Sequence, residues 1–226
     1  MIIITGISGG IGSIVADGLS KKDNIIGLYN HNKPNNKNKN ISYVNIDLRD
    51  EDQIIEFVNR YKNSLSNITL VHFAAIKKDE LAVNINSSDW QNIFDVNVKG
   101  AFLLTKYILK IMMTEGWGRV IYISSKGSEA GDVGTTAYSS SKMALMGISR
   151  TLSKEYALFG ITSNVISLGA FDAGLYTELS EKVKNKILSK VPSKKVGSIN
   201  NITNAINFIV DSDYINGSIL TIDGGV

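Results

Sequence analysis

Ile2-Ile3-Ile4-Thr5-Gly6-Ile7-Ser8-Gly9-Gly10-Ile11-Gly12 carries the strongest structural signal in this chain. A short β-branched run passes directly into a glycine-rich turn, after which Ile14, Val15, Gly18 and Leu19 begin a helical pattern. A strand that turns through glycines into a helix exposes backbone N–H groups at the helix's positive end. The missing Cβ atoms let a pyrophosphate approach closely. Taken alone, such glycines equally suit a tight turn that needs positive φ. Their place at the head of a chain that continues as strands and helices favours a dinucleotide cradle, with Gly6, Ser8, Gly10, Ile11 and Gly12 as candidate cofactor contacts.

Further apolar runs rich in Ile and Val follow at Ile25 to Tyr29, Ile41 to Ile46, Ile68 to Phe73, Val120 to Ile123, Ile161 to Ile166 and Ile219 to Ile222. They read as buried strands. Between them, apolar residues recur at three- and four-residue spacing, as in Ile54, Phe57, Val58 and Tyr61 or Leu145, Ile148, Leu152 and Tyr156, which predicts helices. Parallel neighbours need long crossovers, so this alternation predicts an α/β fold: a Rossmann-like, doubly wound parallel sheet of about seven strands with helices on both faces. Residues 1–226 are expected to form a single domain. Ser87 to Gly116 predicts one long helix or two abutting ones, and Asn30 to Asn40, NHNKPNNKNKN, predicts a solvated loop because it has nothing apolar to bury.

A chain of 226 residues, 43% of them hydrophobic, can bury a substantial core. A net charge of +3 argues for neither nucleic acid nor an anionic membrane as partner. Without cysteine there is no disulfide and no thiolate chemistry, and His31 and His72 lie far apart with no second ligand at helical spacing, so no metal is expected. The opening apolar run is too short for a signal peptide, and no apolar stretch is long enough to span a bilayer, which predicts a soluble cytoplasmic protein.

Tyr138 and Lys142 stand four residues apart in YSSSKMALMGISRTLSKEYA, which puts both on one helical face. An ammonium beside a phenol favours the ionised phenol and draws its pKa from about 10 toward working pH, as proton transfer to a carbonyl oxygen requires. By itself the pair is commonplace on helices. The turn Thr5-Gly6-x-x-x-Gly10-x-Gly12 nevertheless resembles the T-G-x-x-x-G-x-G signature of short-chain dehydrogenases/reductases, and Tyr138-x-x-x-Lys142 resembles that family's Tyr-x-x-x-Lys pair.

The resemblance extends over essentially the whole chain and is nearest to 3-oxoacyl carrier-protein reductase-like members. Ser125 precedes Tyr138 by thirteen residues, where the family has the serine that hydrogen-bonds the substrate oxygen. Asn97, in DVNVKG, resembles the asparagine that helps hold a water behind the lysine. The resemblance thus implies four catalytic residues, Asn97, Ser125, Tyr138 and Lys142, and an NAD(P)(H)-dependent oxidoreductase that interconverts a small-molecule carbonyl and a secondary alcohol by hydride transfer. Tyr138 would be the general acid/base, and Lys142 would also meet the nicotinamide ribose. Asp47-Leu48 resembles the pair that contacts adenine, and Gly217 to Gly225 resembles the closing strand and its D-G-G turn.

Three departures stand out. The family's N-N-A-G is His72-Phe73-Ala74-Ala75, which keeps small residues for cofactor contact at Ala74 and Ala75 and favours a structural role for His72. The family's P-G is Leu168-Gly169, with Ala173 replacing a threonine that often meets the pyrophosphate; Gly169 and Phe171 remain candidate cofactor contacts. Gly134-Thr135-Thr136-Ala137 lacks the glutamine and asparagine common in the acyl reductases. The second strand ends in Tyr29-Asn30-His31-Asn32-Lys33 without a carboxylate to bind a ribose 2′-hydroxyl, which favours NADP(H) over NAD(H), with Asn30 as a contact and Lys33 available to a 2′-phosphate. About 170–198 is expected to be a substrate lid, and the resemblance implies a homotetramer or homodimer on the helices around Phe102 and Leu145. Two other readings stay open: a non-catalytic nucleotide-binding or interaction protein on the same fold, and a nucleotide-sugar-modifying relative.

Overall fold

A computed structural model describes residues 1–35 and 37–226; Asn36 of the polar loop and the side chain of Leu175 in the lid segment lie outside the described residues. Every apolar run expected to be a strand is one: β1 (Ile2–Thr5), β2 (Ile25–Tyr29), β3 (Ile41–Asn45), β4 (Thr69–His72), β5 (Gly118–Ser125), β6 (Ile161–Leu168) and β7 (Ile219–Ile222). They pair in parallel in the order β3-β2-β1-β4-β5-β6-β7. β1, β4 and β6 are buried at every position, as expected when both sheet faces are covered.

Alternate side chains feed two cores. Ile3, Leu28, Leu70, Val120 and Tyr122 pack with Ile54 and Phe57 of α2 (Glu51–Tyr61), Leu104 and Ile108 of α4 (Ala101–Glu115) and Leu145 of α6 (Thr136–Glu155). On the other face Ile4, Val71, Ile121 and Ile166 pack with Val15 and Leu19 of α1 (Gly10–Leu19) and Ile202 and Ile206 of α8 (Ile199–Asp211). Each such fully buried aliphatic side chain contributes about 1.5–3 kcal/mol of transfer free energy. Because all strands run the same way, Thr5, Tyr29, His72, Ser125 and Leu168 end along one edge of the sheet. β1 has β2 on one side and β4 on the other, which makes this edge the crevice where doubly wound sheets bind ligands.

The helical run after β4 is neither one regular helix nor two. α3 (Ser87–Phe94) passes into a π-helical stretch, Asp95–Gly100, and then into α4. Gly100 lets the widened turn close on the sheet: a Cβ there would sit 2.7 Å from Cβ of Leu48. The connection from β2 to β3 contains no helix among its described residues, and Asn38 and Asn40 tie it to the end of α1 through Ser20 Oγ (2.8 Å) and Ser20 O (2.9 Å). α5 (Lys126–Ala130) follows β5. In the lid segment, α7 (Glu181–Lys190) buries no residue, while Phe171 and Val191 anchor its flanks in the core. On the helices expected to carry a contact between copies, Phe102 is 44% exposed, whereas the Leu145 side chain, 1% exposed, packs its own core. No helix among the described residues is long and apolar enough to cross a membrane.

Candidate active site

The glycine turn is built by backbone contacts that side chains would prevent. Gly6 has φ +68°, and a Cβ on it would lie 2.6 Å from Ala74 N; one on Gly12 would lie 2.5 Å from Gly6 O. Gly10 stands equally close to the lid segment, where a Cβ would come within 2.5 Å of Gly174 N. The helix that starts here, α1, has Gly9 as its N-cap, no side-chain cap hydrogen bond and no acidic residue in its first turn. Unpaired N–H groups and an unopposed helix dipole are what a pyrophosphate needs. Ser8 is exposed and Ile11 half-buried at the same turn, and Ala74 donates its N–H to Thr5 Oγ1 at 3.1 Å.

At the far end of the crevice Asn30 and Asp47 come close together, the amide helping to hold the carboxyl in its ionised form. Asp47 also holds Arg49 through Nε (3.0 Å) and Nη2 (2.5 Å), and this pairing keeps its carboxyl below the usual range. Leu48 is 7% exposed against Gly100, so its side chain is mainly core. Lys33 and Lys37, with Asn35, Asn38, Ile41 and Tyr43, line a groove of about 530 Å³ beside the loop that leaves Asn30. Gly169 is held on the terminal turn, its N–H bonded to Ile222 O at 2.9 Å, whereas the Phe171 ring is buried, so a cofactor can meet Phe171 only through its main chain.

The four expected catalytic residues converge from β5, the π-helical stretch and α6. Ser125, at the end of β5, lies beside the half-buried Tyr138 phenol and favours its ionised form. Lys142 is 3% exposed, donates from Nζ to Ile123 O at 2.8 Å, and lies 5.8 Å from the centroid of the Tyr138 ring. Asn97 accepts from Ile76 N (2.8 Å) and donates to Ile76 O (3.0 Å) and Ser141 Oγ (3.0 Å), which in turn bonds Tyr138 O at 2.7 Å. The π-helical widening thus carries Asn97 inward to clamp the strand-4 loop against α6, beside the lysine. Next to Ser125 in sequence, Lys126 pairs with Glu129 (3.5 Å) and Asp223 (3.9 Å), and Ser167 donates to Glu129 at 2.5 Å.

One electrostatic expectation is corrected. Burial, opposed by the neighbouring Ser125, pushes the Tyr138 phenol up to about 12, and burial draws Lys142 down to about 8. Desolvation is the leading cause of both shifts when no ligand shares the site. At neutral pH the phenol keeps its proton and Lys142 its charge.

His72 takes the structural role expected of it. Its ring is 2% exposed, stacks on Tyr122 at 4.9 Å, and bonds Thr105 Oγ1 through Nε2 at 2.9 Å. Burial first, and then the charge of Lys142, lower its pKa to about 3. A histidine held neutral in this way contributes stability that is complete above pH 6.5 and is lost as pH falls toward 3, at about 1.4 kcal/mol per unit. His72→Asn is expected to flatten the fall of the urea midpoint between pH 6.5 and 4. An unchanged slope in that variant would show that His72 does not govern acid sensitivity.

Two features of the site had no counterpart in the sequence reading. Arg49 occupies Asp47, although Asp-x-Arg spacing was visible. Lys77 Nζ lies 5.8 Å from the Tyr138 ring centroid, carried by the charge run Lys77-Lys78-Asp79-Glu80 in the segment after β4. No group of three or more His, Cys, Asp or Glu placed to hold a metal occurs among the described residues.

A family model described as short chain dehydrogenase matches residues 1–184. The chain is 32% identical to the 3-oxoacyl-[acyl-carrier-protein] reductase of Buchnera aphidicola subsp. Baizongia pistaciae, over 99% of this chain and 96% of the relative. It is 31% identical, with the same coverage, to the reductase of that name from Haemophilus influenzae. Among solved structures it superposes on a putative gluconate dehydrogenase from Agrobacterium tumefaciens with a TM-score of 0.91, 25% identity and coverage of 99% and 94% of the two chains. ElxO with NADP bound gives 0.89 at 27% identity, covering 99% of this chain and 96% of that one.

Proposed function

The chain belongs to the short-chain dehydrogenase family, and from that membership we propose that it is an NADP(H)-dependent oxidoreductase that interconverts a carbonyl and a secondary alcohol. The observation that carries the reading is the convergence of Ser125, Tyr138 and Lys142 at the edge of the sheet where the uncapped N-terminus of α1 also lies. When bound, the nicotinamide supplies or takes up the hydride. Ser125 holds the carbonyl oxygen and Tyr138 gives it the phenolic proton, or takes that proton back in oxidation. The resting phenol keeps its proton at neutral pH, the form that reduction needs. Lys142, fixed on Ile123 O, has N–H bonds left that would meet the phenolic oxygen and the ribose hydroxyls of a bound coenzyme, and its charge would offset that of the phenolate as the proton leaves. Asn97, Gly6 and Ala74 keep the strand-1 and strand-4 ends in register for this.

The direct test offers NADPH with ketones, 3-oxoacyl thioesters and keto-sugars and follows the loss of its absorbance. The names of the relatives make 3-oxoacyl thioesters the first class to try. Turnover with at least one class is expected; none, with either coenzyme, sinks the reading. For the coenzyme, the KM for NADPH is expected to be below that for NADH, and Lys33→Met is expected to raise it by roughly tenfold, the loss of one charged phosphate contact. A lower KM for NADH would overturn this preference. The exposed Phe102 on α4 suits contact between copies in a homodimer or homotetramer.

A further inference from the structure

Tyr138 meets two ammonium groups. Lys142 reaches it from within α6 and is buried; Lys77 reaches it from the segment after β4, with its side chain 28% exposed, and each Nζ lies 5.8 Å from the ring centroid. Lys77 is not a surface lysine free to wander. The residue before it, Ile76, is clamped through both N–H and C=O by Asn97, and Glu80 N bonds Gly134 O at 2.8 Å, so the segment is pinned on both sides of Lys77. Its ammonium pairs with Asp79 at 2.8 Å, and that carboxylate, 57% exposed, also acts on Tyr138 by its charge.

We propose that the Lys77–Asp79 pair sets the acidity of the reacting phenol: Lys77 is a second positioning cation for Tyr138, and Asp79 fixes how much of that positive charge the phenol meets. The inference rests on Tyr138 being the proton-transfer group, as argued above. It adds an ion pair that the Tyr-x-x-x-Lys motif does not contain. The other groups around the phenol are already engaged. On β5, Ser125 lies beside Tyr138 and favours its ionised form; on α6, Lys142 is tied to Ile123 O and Ser141 to Asn97; on β4, His72 is neutral; beside Ser125, Lys126 is shared by Glu129 and Asp223. Asp132, in the exposed loop after α5, completes the charged groups near Ser125 and stays constant across the variants.

An ammonium and a carboxylate placed close to one phenol must act with opposite sign, whereas a structural contact has no such signature. The test is the pH profile of kcat/KM for oxidation of ethyl 3-hydroxybutanoate with NADP+. In Lys77→Met the acid limb is expected to move up by about one pH unit or somewhat less, the effect of one partly screened charge at this range. In Asp79→Asn it is expected to move down, and Lys77→Arg should restore the wild-type midpoint. The KM for NADP+ should stay constant throughout. Tyrosinate ultraviolet absorption, taken as each protein minus its own Tyr138→Phe counterpart, should give the same order without any substrate. Midpoints that shift together or stay fixed in either readout would overturn the proposal. A wild-type protein inert to every carbonyl and alcohol offered would refute the oxidoreductase reading instead, and the absorption order would still decide this one.

Discussion

Tyr138→Phe is expected to lower kcat by about 10²–10⁴-fold, the usual worth of a positioned general acid, while leaving the dissociation constant for NADPH nearly unchanged. The substitution removes a single oxygen. The aromatic ring stays on the same turn of α6, still near the two lysines whose ammonium groups each lie 5.8 Å from its centroid, and the bond from the Ser141 hydroxyl to Tyr138 O is untouched. What disappears is the hydroxyl beside Ser125 that is to transfer the proton. Stopped-flow turnover and fluorescence titration of NADPH separate the two effects. Substantial turnover in the variant would remove Tyr138 from its role, and lost NADPH binding would mean that the phenol is part of the cofactor cradle first.

Gly6→Ala is expected to damage stability and cofactor binding together. A residue with a Cβ at φ +68° costs roughly 1 kcal/mol, and here the Cβ would also press on backbone, 2.6 Å from Ala74 N. Neither partner is a flexible side chain, so the ends of β1 and β4 must spread and the 3.1 Å bond from Ala74 N to Thr5 Oγ1 is lost, for about 1 kcal/mol more. The sum, about 2 kcal/mol, corresponds to a fall in Tm of roughly 4–8 °C for a domain of this size. NADPH affinity should drop by tenfold or more, on the order of one lost 1.4 kcal/mol contact. Gly131→Ala is the control, since its φ is +79° but nothing lies within 4 Å of the added carbon. It should show only the backbone cost. If the two variants lose equal stability and neither weakens NADPH binding, the close approach at Gly6 is not what shapes the cradle.

The strands were legible because burial on both faces leaves an uninterrupted run of Ile and Val, and no other element leaves that trace in so few residues. The register of Asn97, Ser125, Tyr138 and Lys142 was legible because their spacing repeats a family's. What escaped was set by contacts between distant segments. No residue pattern announces the π-helical widening at Asp95–Gly100; it follows from Gly100 closing on Leu48 and from Asn97 finding both polar atoms of Ile76. The acidity of Tyr138 is not legible in the sequence because four-residue spacing shows the ammonium but not the burial that raises the phenol. The place of Phe171 after Gly169 does not show that its ring fills the core against Gly197 and leaves only its main chain to a cofactor. Lys77 belongs to a charge run that reads as a solvated turn until the bond from Glu80 to Gly134 folds it over the active tyrosine.

The central claim is that this site moves a hydride between a nicotinamide and a carbonyl carbon while the protein handles only the proton. NADPH deuterated at the transferable C4 position, supplied with the best substrate of the panel in ordinary water, tests it directly. The account predicts an alcohol carrying one deuterium on its carbinol carbon and none exchanged into solvent. An alcohol with only solvent hydrogen at that carbon, or deuterium retained wholly by the coenzyme as substrate is consumed, would contradict it.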